Sequence, residues 1–210
     1  MVYNEKDLAV MDSIIARYPR SRSAIMPLLH YVQSLEGFVT NVGIELVALK
    51  LALATAEVSA VATFYTQYKR QPVGEYHVGV CTNTLCAVMG GDAIFAALKE
   101  HLDIENDCVT EDGKVSLEHI ECNAACDYAP VVMANWEFYD NQTVESAKAL
   151  VDGARGGNPP APTRGPNILP TWKENSAVLA GLNDGRAFEG VQAGQPSLLG
   201  LEISKKAGQK

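Results

Sequence analysis

The chain has 210 residues, 47% of them apolar and 20% charged, with a formal net charge of −8. That length and balance suit one domain, or two small ones, with a packed core, and the acidic surplus speaks against a nucleic-acid partner, which demands basic density facing phosphates. No apolar run approaches the ~20 residues of a membrane-crossing helix, so direct membrane insertion is not expected. The opening MVYNEKDLAVMD contains Glu5, Asp7 and Asp12 and no uninterrupted apolar stretch. It fits neither a secretory signal nor an Arg-rich transit peptide, and a cytoplasmic protein is expected. Five cysteines, an odd number in a reducing compartment, disfavour a disulfide framework. The sequon Asn141-Gln142-Thr143 reads as a turn followed by a threonine cap.

In chain order, Leu8, Met11, Ile14, Ile15 and Tyr18 share one face of a predicted helix over 5–18, which Pro19 stops. Ser23 is the expected cap of a second helix carrying Ile25, Leu28, Leu29, Val32 and Leu35, ended by Gly37. A third is expected over 43–53. A fourth runs from Thr55 to about Tyr68, with Val58, Val61, Ala62, Phe64, Tyr65 and Tyr68 as its buried side. Short helices and short turns make a small helical bundle. His30, beside Leu28 and Leu29, reads as a packed core or boundary residue, and Lys69 and Arg70 as a solvated helix end.

Pro72 and Gly74 mark a boundary. Residues 75–80 alternate as a strand leading straight into Cys81, and Gly90-Gly91 opens a helix over 92–102. The paired glycines are not followed by Lys-Ser/Thr, so they read as room for close backbone approach near the cysteine loop, not as a phosphate loop. Strands are expected at 108–110 and 115–120 around the Asp112-Gly113 turn. Two more follow at 131–135 and 136–139, and Thr143 caps a last helix to about Val151. The order β-α-β-β-β-α resembles a thioredoxin-like α/β layer, in which Pro130 stands where such folds carry a cis-proline.

The chemistry lies in CTNTLC and CNAAC. Cys81 and Cys86 form a C-x4-C pair, and Cys122 and Cys126 a C-x3-C pair, each in a loop leaving a strand. Strands feeding both loops would bring the pairs to one end of a sheet. Four thiolates delivered two by two suit a [2Fe–2S] cluster, which takes two per iron. Structural zinc is the main alternative, although zinc ribbons favour C-x2-C pairs. A Rieske centre would need paired histidines that His77 and His119 do not supply, and a thioredoxin-type dithiol would need the missing C-x-x-C. Cys108, opening an apolar strand, is expected to be a small buried residue.

At CTNTLC and ECNAACDYAP, with VQSLEGFV and EVSAVATFYTQY upstream, the chain resembles a family over about residues 5–155. It is the peripheral [2Fe–2S] subunits of respiratory complex I, the thioredoxin-like ferredoxins of NADH–quinone oxidoreductase E type. The resemblance implies that Cys81, Cys86, Cys122 and Cys126 are the cluster ligands and that the cluster sits on a thioredoxin-like domain after a helical region. It also implies FMN and NADH on a neighbouring subunit, other peripheral-arm subunits as partners, and attachment to the inner face of the cell membrane through the complex. The equivalent diaphorase subunit of an NAD-linked hydrogenase or formate dehydrogenase shares these parts, and a zinc-holding scaffold is the alternative of another class. In this family the second pair usually encloses Leu-Gly, where this chain has Asn123-Ala124.

Three parts are thus expected: a helical bundle over 1–72, a thioredoxin-like [2Fe–2S] domain over 73–155, and an extended Pro/Gly-rich tail over 156–210. The tail's apolar Ile168, Leu169, Trp172 and Phe188 suggest that it lies extended along a partner subunit.

Overall fold

A computed structural model of the chain describes residues 3–186 and 189–208; Phe188 lies outside them. Two compact units divide it, one made of 1–73 and 170–184 and the other of 74–169 and 185–210.

The first unit is helical. Asn4 caps α1 (Glu5–Ile15), its side-chain oxygen accepting the N–H groups of Lys6 and Asp7 at 2.9 and 3.1 Å. Ser23 does not cap the next helix: residues Ser21–Ala24 form a 3-10 turn that runs directly into α2 (Ile25–Glu36). Gly37, with φ +88°, ends α2 in the left-handed region open to glycine. Thr40 caps α3 (Asn41–Leu51) by accepting the Gly43 N–H at 2.9 Å. In α4 (Thr55–Phe64) the Glu57 carboxylate accepts the Ala54 N–H at 3.0 Å. Met11, Ile14, Leu28, Leu29, Val32, Val47 and Val58 make the core.

The fourth helix stops four residues early. The Thr63 hydroxyl bonds back to the carbonyls of Ser59 and Ala60, and Tyr65 turns extended. Phe64 and Tyr65 are consequently 77% and 41% exposed instead of buried. Tyr68 still reaches the core through the turn, its hydroxyl donating to the Met26 carbonyl at 3.1 Å. Arg70 is no solvated helix end either, because its guanidinium donates to the Val39 carbonyl and to Asn41 at 2.9 and 2.7 Å.

Part of the tail completes this unit. Instead of running extended, residues Trp172–Leu179 form α8, capped by Thr171 and Glu174, and pack on α2. Trp172 is buried and donates its indole N–H to the Gly37 carbonyl at 2.7 Å. An extended, solvated strand would forgo the stabilisation that burying this aromatic ring provides.

His30 is buried here with its ring against Tyr68. Burial, opposed by a hydrogen bond with Gln67, lowers its pKa from 6.5 to about 4. The folded unit therefore keeps His30 neutral where the unfolded chain takes up a proton. Its contribution is whole above pH 6.5 and is lost as pH falls toward 4, roughly 3 kcal/mol in all. Replacing His30 by phenylalanine should flatten the acid side of the stability profile, measured by urea unfolding between pH 7 and pH 4.5; an unchanged slope refutes this.

The second unit is built on a five-stranded sheet. In order of appearance it contains β1 (Tyr76–Cys81), α5 (Thr84–Val88), α6 (Gly91–Leu102), β2 (Cys108–Val109) and β3 (Val115–Ile120). After a 3-10 turn (Cys126–Tyr128) come β4 (Val132–Ala134), β5 (Glu137–Tyr139) and α7 (Val144–Arg155). The spatial order is β2-β3-β1-β4-β5, with β1 and β3 parallel and the other pairs antiparallel. Gly113, at φ +70°, turns the β2–β3 hairpin, and Thr143 caps α7 through the Ser146 N–H at 3.2 Å. Pro130 follows a cis peptide bond.

Strand alternation sorts the side chains into two layers. Val78, Val80, Val115, Leu117, Val132 and Ala134 face α6 and α7, meeting Ile94, Leu98, Leu150 and Val151. The residues in between point the other way, where Cys81, Ile120 and Met133 join Cys86, Ala125 and Val131 in a separate apolar cluster. The rest of the tail lies with this unit. Arg164 bridges to Phe138 of β5, Gly165 donates its N–H to the Val191 carbonyl at 3.0 Å, and α9 (Gln195–Lys206) follows with no buried residue.

Candidate metal centre

Parallel pairing places the carboxyl ends of β1 and β3 side by side, with Cys81 in register with Ile120. Both cysteine loops therefore leave the same end of the sheet. Cys81 closes β1 and Cys86 lies in α5; Cys122 follows β3 by two residues and Cys126 opens the 3-10 turn. Two hydrogen bonds tie the first loop to the segments flanking the second, and a third contact lies within the first loop. The Cys81 N–H donates to the Val131 carbonyl at 3.1 Å, and the Asn83 side-chain amide donates to the Ile120 carbonyl at 3.0 Å and approaches the Cys81 sulfur at 3.9 Å.

The thiols are grouped two and two. Cys81 and Cys86 are 2% and 3% exposed, while Cys122 and Cys126 are exposed. Burial pushes the Cys86 thiol up to about 11, the neighbouring Cys81 and Cys126 sulfurs adding to the shift and a backbone hydrogen bond from Val131 opposing it. Cys126 is raised chiefly by its hydrogen bond with Cys122 and the charge of that sulfur, with Cys81 again contributing. Each of the four sulfurs thus interacts with at least one other across or within the pairs. Among the described residues no three His, Cys, Asp or Glu side chains converge as a single ion would require. A donor set in two pairs fits a cluster whose two irons each take two thiolates. With both shifts upward, the free Cys86 and Cys126 thiols hold their protons at neutral pH, so loading must release them.

Glycine makes the first loop possible. A Cβ on Gly91 would stand 2.4 Å from the Cys81 carbonyl oxygen and 2.9 Å from that of Cys86, the close approach that the paired glycines predict. In the second loop Ala124 adopts φ +54°, the left-handed region that costs a non-glycine residue about 1–2 kcal/mol. Its N–H points back to the Cys122 sulfur at 3.3 Å. The residue that departs from the family pattern therefore keeps the glycine-type conformation and donates to a thiol.

Cys108 stands apart and, contrary to expectation, is exposed. It belongs to the two-residue edge strand β2, which has a neighbour on one side only. His77 is not a ligand candidate: buried, it has Nδ1 2.8 Å from the Ser116 hydroxyl and Nε2 2.8 Å from a Glu118 carboxylate oxygen. Spacing gave no hint of Asn83, or of Tyr128 and Arg164 behind the second loop.

The sequence profile of the thioredoxin-like [2Fe-2S] ferredoxin family matches residues 11–155. The E subunit of the NADH-quinone oxidoreductase of Mycobacterium tuberculosis (strain ATCC 25618 / H37Rv) is 59% identical over 194 residues, 92% of this chain and 77% of that one. Its counterpart in Rickettsia bellii (strain RML369-C) is 41% identical over 156 residues, covering 73% of this chain and 93% of that one. Among solved structures, an NAD+-reducing [NiFe]-hydrogenase in the air-oxidized state shares the fold with a TM-score of 0.56 at 19% identity. That match covers 64% of this chain and 23% of the hydrogenase chain.

Proposed function

Because this chain belongs to the thioredoxin-like [2Fe-2S] ferredoxin family, we propose that Cys81, Cys86, Cys122 and Cys126 hold a [2Fe–2S] cluster. We further propose that the chain is the E-type subunit of an NADH–quinone oxidoreductase and exchanges single electrons with the FMN of a neighbouring subunit. The observation that carries this reading is the parallel β1–β3 pair, which sets both cysteine loops at one end of the sheet. When bound, the cluster supplies one-electron chemistry.

The chain's own residues do the holding and shielding. Cys81 and Cys86 keep one side dry against Ile120, Val131 and Met133, and Asn83 and the Ala124 N–H offer hydrogen bonds to sulfur. Cys122 and Cys126 face outward, where a partner carrying the flavin and the nicotinamide site can approach. The chain has no G-x-G-x-x-G or P-loop pattern, so hydride transfer belongs to that partner. Among the described residues no helix is long and apolar enough to cross a membrane, and attachment to the membrane's inner face runs through the other peripheral-arm subunits.

The test is purification of the assembled complex and of this chain. A red-brown chain that bleaches with dithionite, gains a spin-half EPR signal and co-purifies with an FMN-containing NADH dehydrogenase subunit supports the reading. A colourless chain holding zinc overturns the cluster, and hydrogenase or formate dehydrogenase subunits as partners overturn the respiratory assignment.

A further inference from the structure

The family match ends at residue 155, yet two pieces of the tail beyond it return to the second cysteine loop. The first is Arg164. Its Nε and one terminal nitrogen donate to the two carboxylate oxygens of Asp140 at 2.9 and 2.8 Å, and the Thr163 hydroxyl donates to the same carboxylate at 2.9 Å. Held by that fork, the guanidinium carbon lies 4.0 Å from the ring centre of Phe138 and 5.1 Å from that of Tyr128. The second piece is the approach to α9. A Cβ on Gly194 would stand 1.9 Å from the Tyr128 phenol oxygen, and the Ser197 hydroxyl donates to Asp127 at 3.2 Å.

Asp127 and Tyr128 are the two residues immediately after Cys126. We propose that residues 163–164 and 194–197 form a clamp that fixes Cys126 by seizing these two residues, with Arg164 as a positioning residue for the cluster. The inference rests on the reading of Cys126 as a ligand. Arg164 and Asp140 neutralise one another, their side chains only 18% and 7% exposed, so the pair acts through geometry more than through net charge. Lysine would keep the charge but neither the fork nor the flat face that stacks on aromatic rings. Gly194 acts independently: any side chain there must push the Tyr128 ring aside.

The experiment uses the full chain as wild type, Arg164→Lys and Gly194→Val. In each, the rate of cluster bleaching by an iron chelator, the EPR g values after dithionite reduction, and hydrogen exchange at 122–128 in the metal-free protein are measured. Both variants are expected to bleach about tenfold faster, the lower end of what loss of an outer-shell support costs a metal site. Both should also shift the g values and exchange faster at 122–128, while exchange in α6 stays as in the wild type. Wild-type bleaching, g values and exchange in both variants overturn the clamp. If Arg164→Lys alone fails to fold, Gly194→Val decides. A wild-type chain without a [2Fe–2S] spectrum would strike the cluster reading instead, and exchange at 122–128 would then judge the clamp alone.

Discussion

Replacing Cys86 by alanine should give a folded chain that retains essentially none of the visible absorbance of the cluster. Alanine offers iron no donor, which leaves one of the two irons a thiolate short. The fold should tolerate the change, since Cys86 sits in a small apolar cluster where losing one sulfur removes little buried volume. Alanine at Cys81, Cys122 or Cys126 should bleach the protein equally. Cys108→Ala is the control: on the edge strand, exposed and distant in register from the loops, it should leave the spectrum intact. Visible absorbance per polypeptide and iron content decide it. Equal loss from Cys108→Ala, or retention after Cys86→Ala, removes the ligand assignment.

The second large effect is expected at Gly91. A methyl group at this position meets not a flexible side chain but two main-chain oxygens, those of Cys81 and Cys86, at 2.4 and 2.9 Å. Something must shift, and both neighbours belong to the first cysteine loop. Gly91→Ala should therefore cost about 1–3 kcal/mol, the usual range for overpacking, and lower cluster occupancy at the same time. Gly90→Ala serves as its comparison. Nothing stands within 4 Å of a Cβ there, and the penalty comes only from φ +115°. Thermal unfolding together with iron content after reconstitution reads both effects. If Gly91→Ala loads iron as the wild type does, the glycine is not what lets the loop close on α6.

Much of the architecture is legible in the residues alone. Alternation in YHVGVC and VSLEHI fixes the faces of β1 and β3, because a pleat admits no other period. The Asp112-Gly113 turn and the Thr143 cap are local chemistry that needs no distant partner. Four cysteines in two short loops are likewise a local signal, and their meeting follows once the strands are parallel. What could not be read depends on residues far apart in the chain. The tail's Pro/Gly-rich opening suggests an extended path, but α8 is decided by the fit of Trp172 on α2. The early end of α4 turns on a threonine hydroxyl competing for helix carbonyls. Cys108 looks buried by composition and is exposed because β2 lies at the edge, a fact of strand order and not of sequence. Arg164 carries no motif at all; only the fold brings it over Tyr128.

The docking of α8 on α2 has a consequence for how the protein is made. Trp172 and Gly37 are 135 positions apart, and at the usual ~5–20 residues per second of translation the ribosome needs on the order of ten seconds to cover that interval. Throughout it, the face of α2 that α8 later covers is bare, while the described strands of the sheet and all five cysteines emerge. The first part of the chain to be synthesised is thus finished only after the cysteine-bearing part already exists.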